Sequence, residues 1–226
     1  MKNHHDIEIK ICGLTDPAQA ADCAGYGVDA VGVVFFPRSP RHVSTDMAAA
    51  VVHALPPPVL PVGVFVNPRF SYVMEKVARC GIRGVQLHGQ ETPAFVRRLS
   101  AEGLKVYKTL FWGQAPVPPS TRDYKVAAYV VECAGGELPG GNGMAWSWRA
   151  VRDLPGSRPL ILAGGITPEN VTRAMDQARP DAMDISSGVE TEPGRKDPEK
   201  VGQLIQQVRN HQKETGLNRI SPGPVF

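Results

Sequence analysis

Asp184-Ile-Ser-Ser-Gly-Val-Glu190 follows a short apolar run and places two hydroxyl groups and a glycine where a strand should give way to a helix. Such a junction presents unpaired backbone N–H groups and the positive end of a helix dipole, so it can hold a phosphate group. A serine-capped turn without a ligand is the alternative interpretation. A second strand end rich in glycine, Ile161-Leu-Ala-Gly-Gly-Ile166, lies upstream. Two consecutive strands that end in Gly-Gly and Ser-Ser-Gly together predict one phosphate site.

The chain repeats one kind of helix start, in which a capping side chain precedes a proline. It occurs at Asp16-Pro17, Asn67-Pro68, Thr92-Pro93, Thr167-Pro168 and Asp197-Pro198. The cap side chain accepts a backbone N–H, and proline suits the first helical position. The intervals fit one to three copies of a strand–loop–helix unit of roughly 25–30 residues. About eight such units fit the chain, which predicts an α/β fold, a single (β/α)8 TIM barrel with a parallel eight-stranded sheet.

Strands and helices can be placed on this repeat. We expect strands at Ile7–Cys12, Ala30–Phe35, Val59–Val66, Gly84–His88, Lys105–Thr109, Ala127–Glu132, Pro159–Ala163 and Ala182–Ile185. We expect helices at Pro17–Gly25, Thr45–Ala54, Pro68–Cys80, Pro93–Glu102, Trp146–Asp153, Pro168–Gln177 and Pro198–Gln212. The fifth helix should be short or missing, because Gln114–Ser120 is rich in proline and lacks a helical period. Residues 1–215 are predicted to form one catalytic barrel domain, and the tail 216–226 is expected to lie on the surface or be disordered.

The first strand alternates isoleucines with polar residues. In a barrel, Ile7, Ile9 and Ile11 would pack under the helices. Glu8, Lys10 and Cys12 would then point into the barrel, with Cys12 accessible at its mouth.

Composition excludes several classes of protein. The chain has 226 residues, 42% hydrophobic and 21% charged, as is ordinary for a globular protein. Its net charge of +3, without a dense basic run, argues against a nucleic-acid partner, and no apolar run is long enough to span a membrane. Four cysteines without metal-ligand spacing indicate free thiols in a reducing cytoplasm and no metal site. The expected partner is a small molecule that carries a phosphate group, and the chain is expected to be a monomer or homodimer.

The predicted strand ends carry five motifs in order. They are Lys10-Ile-Cys-Gly13, Phe36-Pro-Arg-Ser-Pro-Arg41, Gln86-Leu-His-Gly89, Leu162-Ala-Gly-Gly165 and Asp184-Ile-Ser-Ser-Gly-Val-Glu190. In this order and at barrel-strand spacing they resemble the phosphoribosylanthranilate isomerase family of tryptophan biosynthesis, over nearly the whole chain. The resemblance implies a single barrel without a cofactor. It also implies an Amadori rearrangement of N-(5-phosphoribosyl)anthranilate to 1-(2-carboxyphenylamino)-1-deoxyribulose 5-phosphate.

The resemblance implies two catalytic groups. Cys12 stands at the position of the general base, where a thiol must react as the thiolate; a buried small hydrophobic residue is the alternative. The family's acid is usually an aspartate at the end of the sixth strand, but this chain has Glu132, which is one methylene longer. We expect Glu132 to serve as the acid, with Glu137 in the following loop as the alternative. A carboxylate at the rim that pairs with a surface lysine remains a further possibility for Glu132.

The resemblance also implies residues that bind substrate. Arg41 would bind the anthranilate carboxylate with its guanidinium fork, and Arg38 is the reserve candidate. Asp184 would contact the polar middle of the substrate or cap the following turn. His88 is a substrate-binding candidate or a hydrogen-bonded scaffold residue.

The phosphate site is predicted from backbone N–H groups at two strand ends. Gly164, Gly165, Ser187 and Gly188 would supply the N–H groups, and the hydroxyl of Ser186 or Ser187 would assist. Gly140–Gly143 resembles the family's glycine-rich segment and is expected to form a mobile loop over the substrate.

Two alternative functions remain at this point. One is a phosphosugar-binding barrel with weak or no isomerase activity, because Glu132 could be misplaced. The other is an isomerase of another phosphosugar, since barrels share phosphate sites across many reactions. Arg41 opposes the latter, because an ordinary sugar phosphate has no second carboxylate.

Overall fold

The protein is an eight-stranded parallel barrel in a computed structural model that describes residues 6–112, 124–133, 147–153, 158–220 and 223–226. Each strand pairs with the next, and the last pairs with the first, so the sheet closes. The strands are β1 (Glu8–Cys12), β2 (Ala30–Val34), β3 (Leu60–Phe65), β4 (Gly84–Leu87), β5 (Lys105–Trp112), β6 (Ala128–Cys133), β7 (Leu160–Ala163) and β8 (Ala182–Ile185). All eight predicted strands are confirmed.

Helices surround the barrel. They are α1 (Pro17–Gly25), α2 (Thr45–His53), α3 (Phe70–Cys80), α4 (Pro93–Ala101), α5 (Val171–Ala178) and α6 (Pro198–Thr215). A 3-10 helix at Trp148–Asp153 occupies most of the helix predicted at Trp146–Asp153. The expected short or missing helix at Gln114–Ser120 lies outside the described residues. A small hairpin that the sequence did not predict, β9 (Glu190–Glu192) with β10 (Arg195–Lys196), follows β8.

Three of the five predicted helix starts are confirmed. Asp16, Thr92 and Asp197 each accept a backbone N–H of the first turn, with proline following the cap. The start predicted at Asn67-Pro68 is wrong, since α3 begins at Phe70 after Arg69. Asn67 instead adopts a positive φ of 47°. Its side-chain oxygen accepts the N–H of Gln90 in the loop after β4, so it is not available to cap a helix.

The start predicted at Thr167-Pro168 is also wrong. Helix α5 begins at Val171, with Asn170 as its N-terminal neighbour. The Asn170 side chain accepts the N–H of Thr167 and donates to the carbonyl of Gly165. The three residues before the helix therefore form a turn that is tied to the end of β7.

The residues of β1 alternate between two layers, as predicted. Ile7, Ile9 and Ile11 are fully buried in the core between sheet and helices. Lys10 and Cys12 face the inside of the barrel, where Lys10 is 1% and Cys12 9% exposed. Period-two alternation thus places two reactive groups of one strand in the same interior.

The end of the tail differs from the expectation of a surface or disordered segment. Val225 is buried, and its N–H and that of Phe226 donate to the Glu8 carboxylate at the start of β1. The Tyr107 hydroxyl donates to the carbonyl of Val225. An unpaired carboxylate inside the barrel would be costly, so Glu8 recruits these N–H groups and the guanidinium of Arg219. The tail therefore closes the amino end of the barrel.

Candidate active site

The carboxyl ends of the strands surround a solvent-open cavity of about 810 Å³. Because this space opens to solvent and polar groups line it, a small organic substrate can enter it. All ten predicted site residues line it, namely Cys12, Arg41, His88, Glu132, Gly164, Gly165, Asp184, Ser186, Ser187 and Gly188. The alternative acid Glu137 and the segment Gly140–Gly143 lie outside the described residues.

Cys12 is held at the end of β1 beside two charged groups. Lys10 donates to both oxygens of Asp184, at 2.7 and 2.8 Å, and its ammonium interacts electrostatically with the Cys12 side chain. Burial raises the pKa of the Cys12 thiol above its ordinary value, and Asp184 raises it further, whereas Lys10 lowers it. Cys12 is thus less accessible than the sequence suggested, although it does line the cavity. Lys10 is a residue of the site to which the sequence analysis gave no role.

Glu132 meets His88 across the end of the sheet. Oε2 of Glu132 lies 3.5 Å from Nε2 of His88, and both side chains are 9% exposed. On the other side of the ring, Nδ1 lies 2.9 Å from Thr109 Oγ1 and 3.4 Å from Gln86 Nε2. A ring that carries its proton on Nε2 would accept at Nδ1 from Thr109 and Gln86 and present its N–H to Glu132. His88 is therefore both a cavity residue and part of a hydrogen-bonded scaffold.

Arg41 lines the cavity and forms an ion pair with the carboxylate of Glu190. Its Nε and Nη2 donate to the two oxygens of Glu190, at 2.9 and 2.7 Å. Glu190 also accepts from Lys196 at 2.6 Å and from the N–H of Gly194. Burial alone would raise the pKa of Glu190, but Arg41 and Lys196 hold it below its ordinary value. Gly13 leaves the room for Arg41, since a Cβ there would lie 2.5 Å from Arg41 Cδ.

Part of the guanidinium fork is thus already engaged. Within the described part of the chain, Nη1 of Arg41 makes no hydrogen bond, so this edge is the one that can meet a ligand carboxylate. Glu190 is the last residue of the stretch Asp184–Glu190, which predicted a phosphate site, yet its role as the partner of Arg41 was missed. The only signal for it was its carboxylate at a strand end.

The turns after β7 and β8 form a close pair. Gly164 and Gly165 have φ values of 85° and 67°, which favour glycine. Their carbonyls accept hydrogen bonds from Trp148 and Asn170, which lie outside the turn. The N–H groups of the two glycines are the polar atoms that a ligand could contact. Gly188 packs against the other turn so tightly that a Cβ there would lie 1.8 Å from a backbone oxygen.

The serine hydroxyls differ in what they already bind. Ser186 donates its hydroxyl to the carbonyl of Cys12 at 3.0 Å and thereby ties β8 to β1. Ser187 is the first residue of a 3-10 turn, Ser187–Val189, whose leading N–H groups lack partners within the turn. A phosphate would find N–H donors there.

No metal-ligand cluster of three or more His, Cys, Asp or Glu occurs among the described residues. Within that same portion, no helix is long and apolar enough to cross a membrane.

A closed (β/α)8 barrel whose mouth combines a thiol, a carboxyl group and two glycine-containing turns has the architecture of a barrel enzyme, in which the working groups lie at the carboxyl ends of the strands. The family model described as N-(5'phosphoribosyl)anthranilate (PRA) isomerase matches residues 9–207. The chain therefore belongs to the phosphoribosylanthranilate isomerase family, which acts in tryptophan biosynthesis.

Similar proteins carry the same name. The N-(5'-phosphoribosyl)anthranilate isomerase of Desulfatibacillum aliphaticivorans is 47% identical over 221 residues, which cover 98% of this chain and 99% of the relative. The crystal structure of phosphoribosyl anthranilate isomerase from Thermus thermophilus has a TM-score of 0.81 at 33% identity, covering 90% and 99% of the two chains. A further structure, at TM-score 0.74, 32% identity and the same coverage, is the isomerase in complex with reduced 1-(o-carboxyphenylamino)-1-deoxyribulose 5-phosphate.

Proposed function

We propose that the chain isomerises N-(5-phosphoribosyl)anthranilate with Cys12 as the general base and Glu132 as the general acid. One observation carries the proposal. The thiol on β1 and the carboxyl group on β6 line one cavity, and the anion-binding turns after β7 and β8 lie between those strands around the barrel. A substrate held by its phosphate between the two groups would expose its sugar to both.

Glu132 begins the reaction by protonating the ring oxygen of the ribose. The furanose C1–O bond breaks, its electron pair stays on the oxygen, and the nitrogen lone pair forms an iminium with carbon one. His88 Nε2–H faces Oε2 of Glu132, so the acidic proton belongs on Oε1. The longer side chain of glutamate is compatible with this step because His88 fixes its end.

Cys12 completes the chemistry by removing the proton from carbon two. The C–H electron pair forms the bond between carbons one and two, and the iminium nitrogen becomes neutral. The resulting enaminol then tautomerises to the aminoketose. Although the pKa of the thiol is raised by burial, the positive iminium beside the sulfur favours the thiolate at the moment it is needed.

The other cavity residues bind different parts of the substrate. Backbone N–H groups of Gly164, Gly165, Ser187 and Gly188 hold the phosphate, with the Ser187 hydroxyl assisting. The free edge of Arg41 meets the anthranilate carboxylate, and Asp184 contacts the amine or a ribose hydroxyl. A solved relative in complex with reduced 1-(o-carboxyphenylamino)-1-deoxyribulose 5-phosphate supports a ligand of this size and charge for this chain.

The test removes each proton-transfer group. Cys12→Ala and Glu132→Gln should each lower kcat by roughly 100-fold or more, which is the usual contribution of a general acid or base. Turnover is followed by the change in fluorescence of the anthranilate group. Cys80→Ala and Glu102→Gln are matched controls away from the cavity and should keep normal rates. A near-normal rate in either active-site variant refutes that residue's role.

A test of substrate identity distinguishes the proposed function from the two alternative functions. Expression of the chain should restore growth without tryptophan to a strain that lacks this isomerase. Growth would contradict both a barrel without catalysis and an isomerase for another phosphosugar, and failure to grow would contradict the proposal.

We also propose that the chain works in the cytoplasm as a monomer or homodimer. Its four cysteines are free thiols, as a reducing compartment favours. Cell fractionation and light scattering of the purified chain test the two statements.

A further inference from the structure

Lys10 is a buried lysine inside the barrel, two residues before the proposed base Cys12 on β1. Its side chain is 1% exposed, and its ammonium lies 2.7 and 2.8 Å from the two oxygens of Asp184 on the neighbouring strand. A charge is rarely buried this completely without a purpose or a partner, because desolvation of an ammonium is costly. Asp184 is the partner, but it explains only one of the contacts of Lys10.

The second contact of Lys10 is Cys12. Both side chains point inward from β1, two residues apart. On β2, Gly32 faces them both, since a Cβ there would lie 2.7 Å from Cys12 Sγ and 3.1 Å from Lys10 Cε. The absent side chain at position 32 leaves the space in which the sulfur and the end of the lysine lie side by side. The ammonium of Lys10 and the sulfur of Cys12 are close enough for each group to shift the pKa of the other.

The charged groups around the Cys12 sulfur come from four parts of the chain. Lys10 comes from the same strand, Asp184 from β8, Lys196 from the β9–β10 hairpin and Arg41 from the loop after β2. Burial by itself would lower the pKa of Lys10, but Asp184 and Cys12 raise it above its ordinary value. Lys10 is therefore held as an ammonium, and the end of its side chain lies beside the sulfur in the space next to Gly32.

We propose that Lys10 is a positioning residue for the base, whose ammonium is fixed by Asp184 and donates a hydrogen bond that stabilises the Cys12 thiolate. The proposal rests on the role proposed for Cys12. Lys10 keeps its three protons throughout the reaction. When the thiolate takes the proton from carbon two, the sulfur loses its negative charge and the iminium loses its positive charge. The Lys10–Asp184 pair remains unchanged and neutral.

The decisive variant is Lys10→Met, which keeps the length of the side chain and removes the charge. Loss of an opposite charge in contact with the thiolate should move the acidic limb of the pH profile of kcat/KM upward by about one pH unit or more. Activity lost near neutral pH should return in part at higher pH. The rate at which iodoacetamide alkylates Cys12, followed by peptide mass spectrometry, should show the same shift without substrate.

A second lysine supplies the matched control. Lys108 is also a buried barrel lysine in an ion pair, with Glu91 at 3.0 Å. Lys108→Met should lower thermal stability as Lys10→Met does, but it should leave both the pH profile and the alkylation of Cys12 in place. A purely structural role for Lys10 predicts that the two variants behave alike, and that result overturns the proposal.

Two further variants distinguish a loss of folding from a loss of the proposed role of Lys10. If Lys10→Met does not fold because Asp184 is left unpaired, Lys10→Met with Asp184→Asn removes both charges. The alkylation profile is then measured against Asp184→Asn alone, where a shift of about one unit is again expected. Alkylation does not require catalysis. An active Cys12→Ala variant would therefore refute the base, whereas an unshifted alkylation profile in the lysine variants would refute the role of Lys10.

Discussion

Gly188→Ala should damage the phosphate site by forcing its two turns apart. The added Cβ would lie 1.8 Å from the carbonyl oxygen of Ile166, 2.8 Å from its carbonyl carbon and 3.1 Å from Thr167 Cα. These are backbone atoms of the turn after β7, so no side-chain rotation can relieve the overlap. An ordinary contact between carbon and oxygen is about 3.3 Å or longer, so the two turns must separate by more than an ångström.

A displacement of that size sets the expected loss. Misplacement of binding groups by about 1 Å costs on the order of 100-fold in rate, and hydrogen bonds to a charged group contribute about 1.5–3 kcal/mol each. We therefore expect kcat/KM of Gly188→Ala to fall by about 100-fold. Most of the loss should appear in KM, because the phosphate is bound in both the ground state and the transition state.

Steady-state fluorescence kinetics measure this effect, and competitive inhibition by inorganic phosphate measures the site directly. Inhibition by phosphate should weaken together with substrate binding. Gly25→Ala is the matched control, since a Cβ at Gly25 meets nothing within 4 Å. If folded Gly188→Ala keeps the KM and the phosphate inhibition of the unmodified chain, the two turns do not form the phosphate site.

Two other changes probe the acid and the tail. Glu132→Asp withdraws the carboxyl group by one methylene from His88, which is now 3.5 Å away, and should lower kcat by roughly 10–100-fold, because the acid loses both reach and support. An unchanged kcat in the folded Glu132→Asp variant would show that the reaction does not depend on the longer side chain of glutamate. Removal of residues 225–226 takes two N–H donors from Glu8 and a buried side chain, so the free energy of unfolding in urea should fall by about 2–4 kcal/mol. Since the tail lies at the opposite end from the mouth, kcat at 25 °C should stay the same, and a lower kcat in the folded protein would contradict that separation.

Closure of the barrel brings the proposed base Cys12 and the proposed acid Glu132 to one cavity. Cys12 and Glu132 are far apart in the chain, and β7 and β8 lie between their strands in the sheet. Each is supported by a basic side chain, Lys10 for the thiol and His88 for the carboxyl group. The proposed base thus lies beside a buried ammonium, whereas the proposed acid lies 3.5 Å from a histidine ring nitrogen.

Much of the architecture could be predicted from local patterns. Short apolar runs separated by capped helices predicted all eight strands, and the alternation in β1 placed Cys12 inside the barrel. Such patterns work because the period of two in a strand and the demands of a helix start are local properties of the chain. The strand-end rule of parallel barrels then brought the predicted residues to one cavity.

Only the tertiary structure decided which polar groups meet. Arg41 binds Glu190, Lys10 binds Asp184, and the end of the tail reaches Glu8 at the far end of the barrel. Each partner lies well over a hundred residues away in the chain, so no local period encodes the pairing. Buried charges must find partners, and closure of the sheet determines which partners are within reach.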